Sequence, residues 1–347
     1  MKMTMPGRFV IQRFLRQAKD AGCTHFVLEV TSEGMLQNRH RFINFHTAVF
    51  TNLSPEHIER HGSFENYKRT KGKLFQAAKK VHVINADDEH APSFLQFPAQ
   101  QKSFYSLELS LPKLGLGVPK PSLGRNVRAD EKGIRFEVDG IEFCLNLLGV
   151  FNVSNALAAI AVARSQSISL QVCSKALEKM EVVPGRMETV VRDPFHVVVD
   201  YAFTPAALGK VYQTLKTTRR QNSGQANYRL ICVLGAAGGG RDTWKRPVLG
   251  KIAATYCDRV IVTNEDPYEE DPEKIIREVQ GGTQGKGEII LDRREAIRAA
   301  LSEAQPGDIV VITGKGSEDS IAVQGGKKIP WDDREVVREE IDKIKEL

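Results

Sequence analysis

RLICVLGAAGGGRD, residues 229–242, is the stretch that decides the fold. Leu230–Leu234 is a short unbroken apolar run, which suits a strand covered on both faces, as in a parallel sheet. Glycines follow at once, so the strand runs into a loop whose backbone can approach a ligand closely. Working outward, the same signature returns in FHVVVDYA (195–202), DRVIVTNED (258–266), GEIILD (287–292) and DIVVITGKGSED (308–319). Helical stretches lie between them. The first, TPAALGKVYQTLKTTRR, opens with Thr204 as an N-cap ahead of Pro205. Strand–helix alternation predicts an α/β domain built on a parallel sheet.

The N-terminal half repeats the pattern. Residues 8–22 read as an amphipathic helix stopped by Gly22. HFVLEV (25–30), HTAVFTNL (46–53) and KVHVINADD (80–88) read as buried strands, with ENYKRTKGKLFQAAKK as a helix before the third. Residues 91–140 are richer in Pro, Lys and Gly, and RFEVDGIEFCLNL (135–147) predicts a hairpin turning at Asp139-Gly140. GVFNVSNALAAIAVARSQS predicts the helix that closes the first domain. Pro184-Gly185 marks the break, giving domains 1–183 and 184–347.

Composition removes several classes. In 347 residues, 41% are hydrophobic and 27% charged, which excludes a disordered chain or a fibrous repeat. The longest apolar stretch, 141–163, is interrupted by Glu142, Asn146, Asn152 and Asn155, so no membrane span is expected. The first residues carry no secretory signal pattern. Five cysteines form no CxxC pair, and reduced thiols in the cytoplasm are the expectation. The net charge of +6 fits anionic small ligands or plain solubility, and no aromatic-basic platform points to nucleic acid.

In parallel sheets ligands meet the carboxyl ends of strands, so the residues there are the ones to read. Glu29 ends its predicted strand and His57 follows the next. They could share a divalent cation, or be a strand carboxylate and a solvated loop histidine. GAAGGGRD, with Arg241, Lys245 and Arg246 beside it, could hold an anion or be a flexible turn. Tyr201 and Asp200 end FHVVVDYA; Lys315, Ser317 and Glu318 follow the last strand. Lys71 sits among Lys68, Lys73 and Lys79 on a helix whose basic face could simply be solvated.

Taken together, the segments EVTSEGMLQNR (29–39), VFTNLSPEHIERHGSFENYKRTKGKLF (49–75), INADD (84–88), LGVFNVSNALAAIA (148–161), PGRMETVV (184–191), VVVDYAFTPAAL (197–208), GGGRDTWKRP (238–247), TNEDPYEEDP (263–272) and GKGSED (314–319) resemble the Mur ligase family, in family order. The branch that adds the third residue to UDP-N-acetylmuramoyl-L-alanyl-D-glutamate is the most similar. The resemblance implies a central ATP-binding α/β domain followed by a Rossmann-like α/β domain. It implies ATP-dependent amide ligation through an acyl phosphate, with Mg2+ offsetting phosphate charge. Glu29 and His57 match magnesium ligands, and Lys71 matches a lysine carbamylated by CO2, a third ligand. Thr4, Thr31, Gln37 and Arg39 match positions that hold the UDP-muramoyl-dipeptide. Asn155, Arg186 and Asp200 match nucleotide contacts. Arg241, Asn264, Glu265, Asp266, Pro267, Tyr268, Gly314 and Glu318 match the pocket for the incoming amino acid.

The departures from the family pattern are specific. Met5 replaces the second threonine of a pair, and Glu33 stands where a histidine usually follows Ser-Ser. Phe203 replaces the histidine of DYAHTP, and Ser317 that of GKGHE. Tyr268 replaces the arginine that grips the distal carboxylate of diaminopimelate, so lysine or another amine fits better. The sequence contains no GxxxxGK[ST], while the family carries its phosphate loop, GTKGKTT, at the start of the central domain after an N-terminal UDP-binding domain. The expectation is a chain cut just after that loop, which a separate chain could supply. Two other readings stay open: a non-catalytic remnant that binds muramoyl peptide or an amino acid, and a ligase similar to folylpolyglutamate synthase.

Overall fold

The computed structural model describes residues 5–107, 121–130, 132–222, 228–240 and 242–345. Contacts divide the chain into two compact units: Met1–Arg125 with Val138–Gly140 and Ser154–Cys173, and Asn126–Glu137 with Ile141–Val153 and Ser174–Leu347.

The first half of the chain runs α1 (Arg8–Asp20), α2 (Ser32–Leu36), β1 (Thr47–Phe50), α3 (Ile58–His61), α4 (Phe64–Ala77), β2 (Val81–Asn85), α5 (Ala91–Leu95), β3 (Gln101–Ser106) and β4 (Ser122–Leu123). Strands β1-β2-β3-β4 form a sheet in that order, all parallel. Its core is aromatic: Phe50 stacks on Phe94 at 4.1 Å, and Phe94 meets Phe75 at 5.0 Å. Such offset pairs add to what burial alone supplies. Three strands, β5 (Arg125–Asp130), β6 (Gly133–Val138) and β7 (Ile141–Leu145), make a small sheet. The predicted turn is there, with Asp139 and Gly140 both at positive φ (47° and 81°), as a tight hairpin demands. Helices α6 (Phe151–Ser165) and α7 (Leu170–Glu178) follow.

One predicted strand is absent. HFVLEV has no regular structure, Val27 is 96% exposed, and no strand among the described residues pairs with it. An apolar run becomes a buried parallel strand only when neighbours take up its backbone hydrogen bonds.

The remaining elements are β8 (Glu188–Val191), β9 (His196–Asp200), α8 (Pro205–Asn222), β10 (Leu230–Leu234), α9 (Lys245–Tyr256), β11 (Arg259–Val262), α10 (Pro272–Gly281), β12 (Gly287–Ile289), α11 (Arg293–Glu303), β13 (Ile309–Thr313), β14 (Ser320–Val323), β15 (Lys327–Pro330) and α12 (Asp333–Lys345). Six strands pair in the order β12-β11-β10-β13-β9-β8, parallel except for β8. Thr204 caps α8, accepting from Ala207 N–H at 3.3 Å. One face of the sheet packs against α8, α9 and α10, the other against α11 and α12. After β10 the chain turns to α9 on the first face; after β13 it passes the β14–β15 hairpin to α12 on the second. Adjacent strands that part to opposite faces leave a crevice at their carboxyl ends, the usual ligand site of such sheets.

The cysteines depart from expectation. Cys232, in the middle of β10, and Cys257, just after α9, form a disulfide across a separation of 25 residues. Both are buried, where β10 and the returning end of α9 pack together. Nothing in their spacing announces this, because the strand–helix return sets it. Cys23, Cys144 and Cys173 are free. No described helix is long and apolar enough to cross a membrane.

Candidate functional site

In the first unit, α4 sets the scene. Ser63 caps it through Asn66 N–H, and its buried side includes Tyr67 and Thr70. The Lys71 ammonium lies 5.3 Å from the centre of the Tyr67 ring, a cation–π contact. Burial holds its pKa below the ordinary lysine value, against the opposing pull of the Glu56 and Glu29 carboxylates. The same ring meets His57 edge-on at 5.9 Å and His61 at 5.2 Å. His57 takes a left-handed conformation (φ 54°) as the residue before α3, and His61 Nε2 pairs with Ser32 Oγ at 3.0 Å. A cavity of about 60 Å3 borders Lys71 on the side of Val30, Ser32 and the end of β1.

Thus, of the resemblance's metal set, Glu29 acts electrostatically on Lys71, and His57 and Lys71 both meet the Tyr67 ring. Glu29 is exposed, on the segment that does not form a strand. Among the described residues no three of His, Cys, Asp and Glu gather to hold a metal ion. Nearby, Thr31 caps α2, accepting from Gly34 N–H at 3.1 Å, and Arg39 Nε donates to Gln37 Oε1 at 2.8 Å. Arg39 also donates to the Met5 carbonyl. Glu33, the histidine replacement, forms an ion pair with Arg60 at 2.7 Å. Asn155 lies on α6. Thr4 lies outside the described residues, as does Arg241.

The second unit gathers its candidates at the sheet crevice. Asp200 ends β9 and accepts from the backbone N–H of Met187 and of Ala202, both at 2.7 Å. Burial raises its pKa, opposed by those two hydrogen bonds and by Arg186. The Arg186 guanidinium lies 4.2 Å from the centre of the Tyr201 ring. Tyr201 donates its hydroxyl to Glu318 at 3.0 Å; Glu318 accepts from Lys315 at 2.6 Å, and Lys315 donates to Asp266 at 2.9 Å. Asp266 also accepts from Ala322 N–H, which ties β14 to the loop after β11.

Glu265 is the unusual member. It is fully enclosed, and its Oε2 has no hydrogen-bond partner. Burial pushes its pKa up to about 7 despite Arg293, Lys315 and Lys245. Gly314, at φ 108°, lies so near that a Cβ there would come within 2.3 Å of this oxygen. Arg293 is buried and holds the two loops in place, donating to the carbonyls of Asn264 (3.3 Å) and Thr313 (2.9 Å) while paired with Asp333 at 2.7 Å. Pro267 places its carbonyl against Gly238, and Tyr268, at φ 51°, lies against Gly239. Sequence reading gave no role to Arg293 or Tyr67. An arginine opening an amphipathic helix and an aromatic on a helix face carry no signal until their neighbours are known.

Of the three basic residues beside the glycine loop that are read as one group in the sequence, two separate in the structure. Arg246 is buried and pairs with Glu270 (3.0 Å) and Glu278 (2.7 Å), a structural bracket. Lys245 is not so engaged.

Two family models match: the Mur ligase middle domain over residues 1–163, and the Mur ligase glutamate ligase domain over residues 185–316. A UDP-N-acetylmuramyl-tripeptide synthetase of Roseiflexus sp. (strain RS-1) is 38% identical over 93% of this chain and 65% of its own. A UDP-N-acetylmuramoyl-L-alanyl-D-glutamate--2,6-diaminopimelate ligase of Halalkalibacterium halodurans is 36% identical over 98% of this chain and 68% of its own. The chain therefore spans about two thirds of the length of the curated relatives it matches. Among solved structures, one of a ligase of that second kind aligns with TM-score 0.59 and 34% identity, over 98% of this chain and 69% of the other. A pseudomurein peptide ligase type C from Methanothermus fervidus shares the fold, with TM-score 0.66 at 22% identity over 91% and 66% of the two chains. With these identities, and with both domain models matched in order, the chain belongs to the Mur ligase family.

Proposed function

We propose that the chain carries the central and C-terminal parts of a cytoplasmic ATP-dependent amide ligase of peptidoglycan precursor synthesis. It would add the third residue to UDP-MurNAc-L-Ala-D-Glu. The observation that carries this is the buried charge at the ends of β9, β11 and β13. There buried Asp200, Glu265, Asp266 and Lys315, with the more exposed Glu318 bonded to Lys315 and Tyr201, lie at the strand ends next to a glycine loop. ATP would transfer its γ-phosphoryl group to the substrate carboxylate, the amine would attack the resulting acyl phosphate, and phosphate would leave as the amide forms. The domain boundary near residue 184 belongs to this reading.

The donor chemistry around α4 fits Mg2+. Glu29 offers a carboxylate and His57 an imidazole. Lys71, its ammonium disfavoured by burial, is predisposed to the neutral amine that combines with CO2, releasing a proton and leaving an anionic carbamate oxygen. Bound there, the ion would offset negative charge on phosphate groups. Thr31, Gln37 and Arg39, with Thr4, would hold the muramoyl dipeptide. Asn155, Arg186 and Asp200 would contact the nucleotide. Arg241, Glu265, Asp266 and Glu318, with the backbone at Asn264, Pro267, Tyr268 and Gly314, would receive the amino acid. Tyr268 in place of an arginine favours an amine without a distal carboxylate over diaminopimelate.

The test is phosphate release from Mg-ATP with UDP-MurNAc-L-Ala-D-Glu and a panel of amino acids. It is run on the full chain alone and together with a polypeptide bearing the family's phosphate loop. Amide product formed with L-lysine in preference to diaminopimelate is expected in the second arm. Release that ignores the muramoyl dipeptide, or product from a folate and glutamate, would end this reading.

A further inference from the structure

Lys245 opens α9, immediately after the glycine loop, and is only 6% exposed. A lysine side chain so largely covered normally has a carboxylate or several carbonyls around its ammonium. Among the described residues none is within ion-pair distance of this one. What it meets is the Phe203 ring, 5.0 Å from its centre. Phe203 is in turn braced edge-on by Tyr201 at 5.1 Å, and Tyr201 carries Arg186 at 4.2 Å on its ring. The result is a ladder of two aromatic rings with a cation at each end. Phe203, where the family has a histidine, is therefore a platform that holds the Lys245 side chain in place, rather than a lost contact.

Two further features share the location. The start of α9 carries the positive end of the helix dipole, which favours an anion, although the Lys245 and Arg246 amides are already bonded to the Asp242 and Thr243 carbonyls. Glu265, near enough for Lys245 to act on its charge, offers the opposite complement through its enclosed, unpartnered Oε2. A cation with no ion pair among the described residues and a carboxyl group with one unpartnered oxygen suit a ligand carrying both signs. A phosphate alone would satisfy Lys245 but meet repulsion from Glu265. An amino acid satisfies both. We infer that Lys245, seated on the Phe203 ring, binds the carboxylate of the incoming amino acid and is a specificity-determining residue of this crevice. This inference rests on the ligase reading for the identity of the ligand class.

The test is calorimetric titration of the full chain with L-lysine, L-lysinamide (the same molecule without a free carboxylate) and inorganic phosphate. Wild type is compared with Lys245→Met, Lys245→Arg and Phe203→Leu, each checked for folding by circular dichroism. L-lysine should bind wild type at least about tenfold more tightly than L-lysinamide, and Lys245→Met should abolish that difference. Lys245→Arg should keep affinity within about threefold, and Phe203→Leu should lower it about three- to tenfold, as expected for a lost partly desolvated cation–π contact. Should Lys245→Met fail to fold, the Phe203→Leu and Lys245→Arg arms decide. The proposal falls if wild type does not bind L-lysine or does not distinguish it from L-lysinamide. It also falls if the substitutions leave the distinction unchanged, or if only phosphate binding responds to them. Ligase activity that survives such a result would leave the functional reading intact. A carboxylate dependence on Lys245 without ligation would do the reverse.

Discussion

At the scale of a residue, Glu265 shows what burial does to a carboxyl group. Enclosure raises its pKa to about 7, although three cations pull the other way. Folded Glu265 therefore holds its proton more tightly than the unfolded chain does. By linkage, stability is greatest below the unfolded value of about 4.5 and falls as pH rises through about 7. The shift is worth about 3 kcal/mol at pH 8, taking about 1.4 kcal/mol per unit. Asp200, also raised by burial, contributes with the same sign. Glu265→Gln should remove much of the decline between pH 5 and 8, and urea unfolding at those two values measures it. An equally steep decline in the variant would place the proton elsewhere. The residue types of this site were legible in TNEDPY and GKGSED, because polar groups just past apolar runs mark strand ends. Which carboxylate would be left without a partner was not. That depends on Gly314 coming up against Glu265, and on Arg293 spending its donors on the Asn264 and Thr313 carbonyls.

At the scale of elements, sequence reading succeeded where hydrophobic runs are completed by neighbours and failed where they are not. The runs that became β9, β10, β11 and β13 each find hydrogen-bonded partners. HFVLEV is as apolar and as short, yet stays irregular for want of a pairing strand. The Cys232–Cys257 bond was illegible for a related reason: it reports how α9 returns to β10. Loops are read better through their glycines. At Gly185, φ is 64° and a Cβ would lie 2.1 Å from the Ser317 backbone nitrogen, so the turn before β8 can approach the loop after β13 only without a side chain. Gly209, inside α8, has nothing within 4 Å of such a Cβ. Gly185→Ala should therefore cost at least about 2 kcal/mol, from left-handed strain and displaced backbone together. Gly209→Ala should gain about 0.5–1 kcal/mol through helix propensity. Denaturant midpoints at constant slope would show the two shifts in opposite directions; a shared sign would contradict the packing described for Gly185.

At the scale of the whole molecule, the balance between what the sequence has and what it lacks makes a prediction about nucleotides. Arg186 and Asp200, candidates for nucleotide contact, are held in place by an aromatic ring and by backbone hydrogen bonds. GxxxxGK[ST], whose backbone N–H groups and lysine ordinarily hold the β- and γ-phosphates, does not occur in the 347 residues. The excess of six positive charges attracts any polyanion weakly, an effect that salt screens. Affinity for adenosine and for Mg-ATP should then differ by less than about tenfold at 0.15 M salt, since phosphates without a cradle add little beyond screened attraction. In a complete phosphate loop the same comparison spans several charge-assisted hydrogen bonds, each worth roughly 1.5–3 kcal/mol. Titration of the full chain with adenosine, ADP and Mg-ATP settles the matter. Affinity that climbs a hundredfold or more with each added phosphate would mean that the chain has a phosphate cradle of another kind. The loop at Gly235–Gly240 would be the first place to look, because it is the glycine-rich turn that leads into a helix N-terminus.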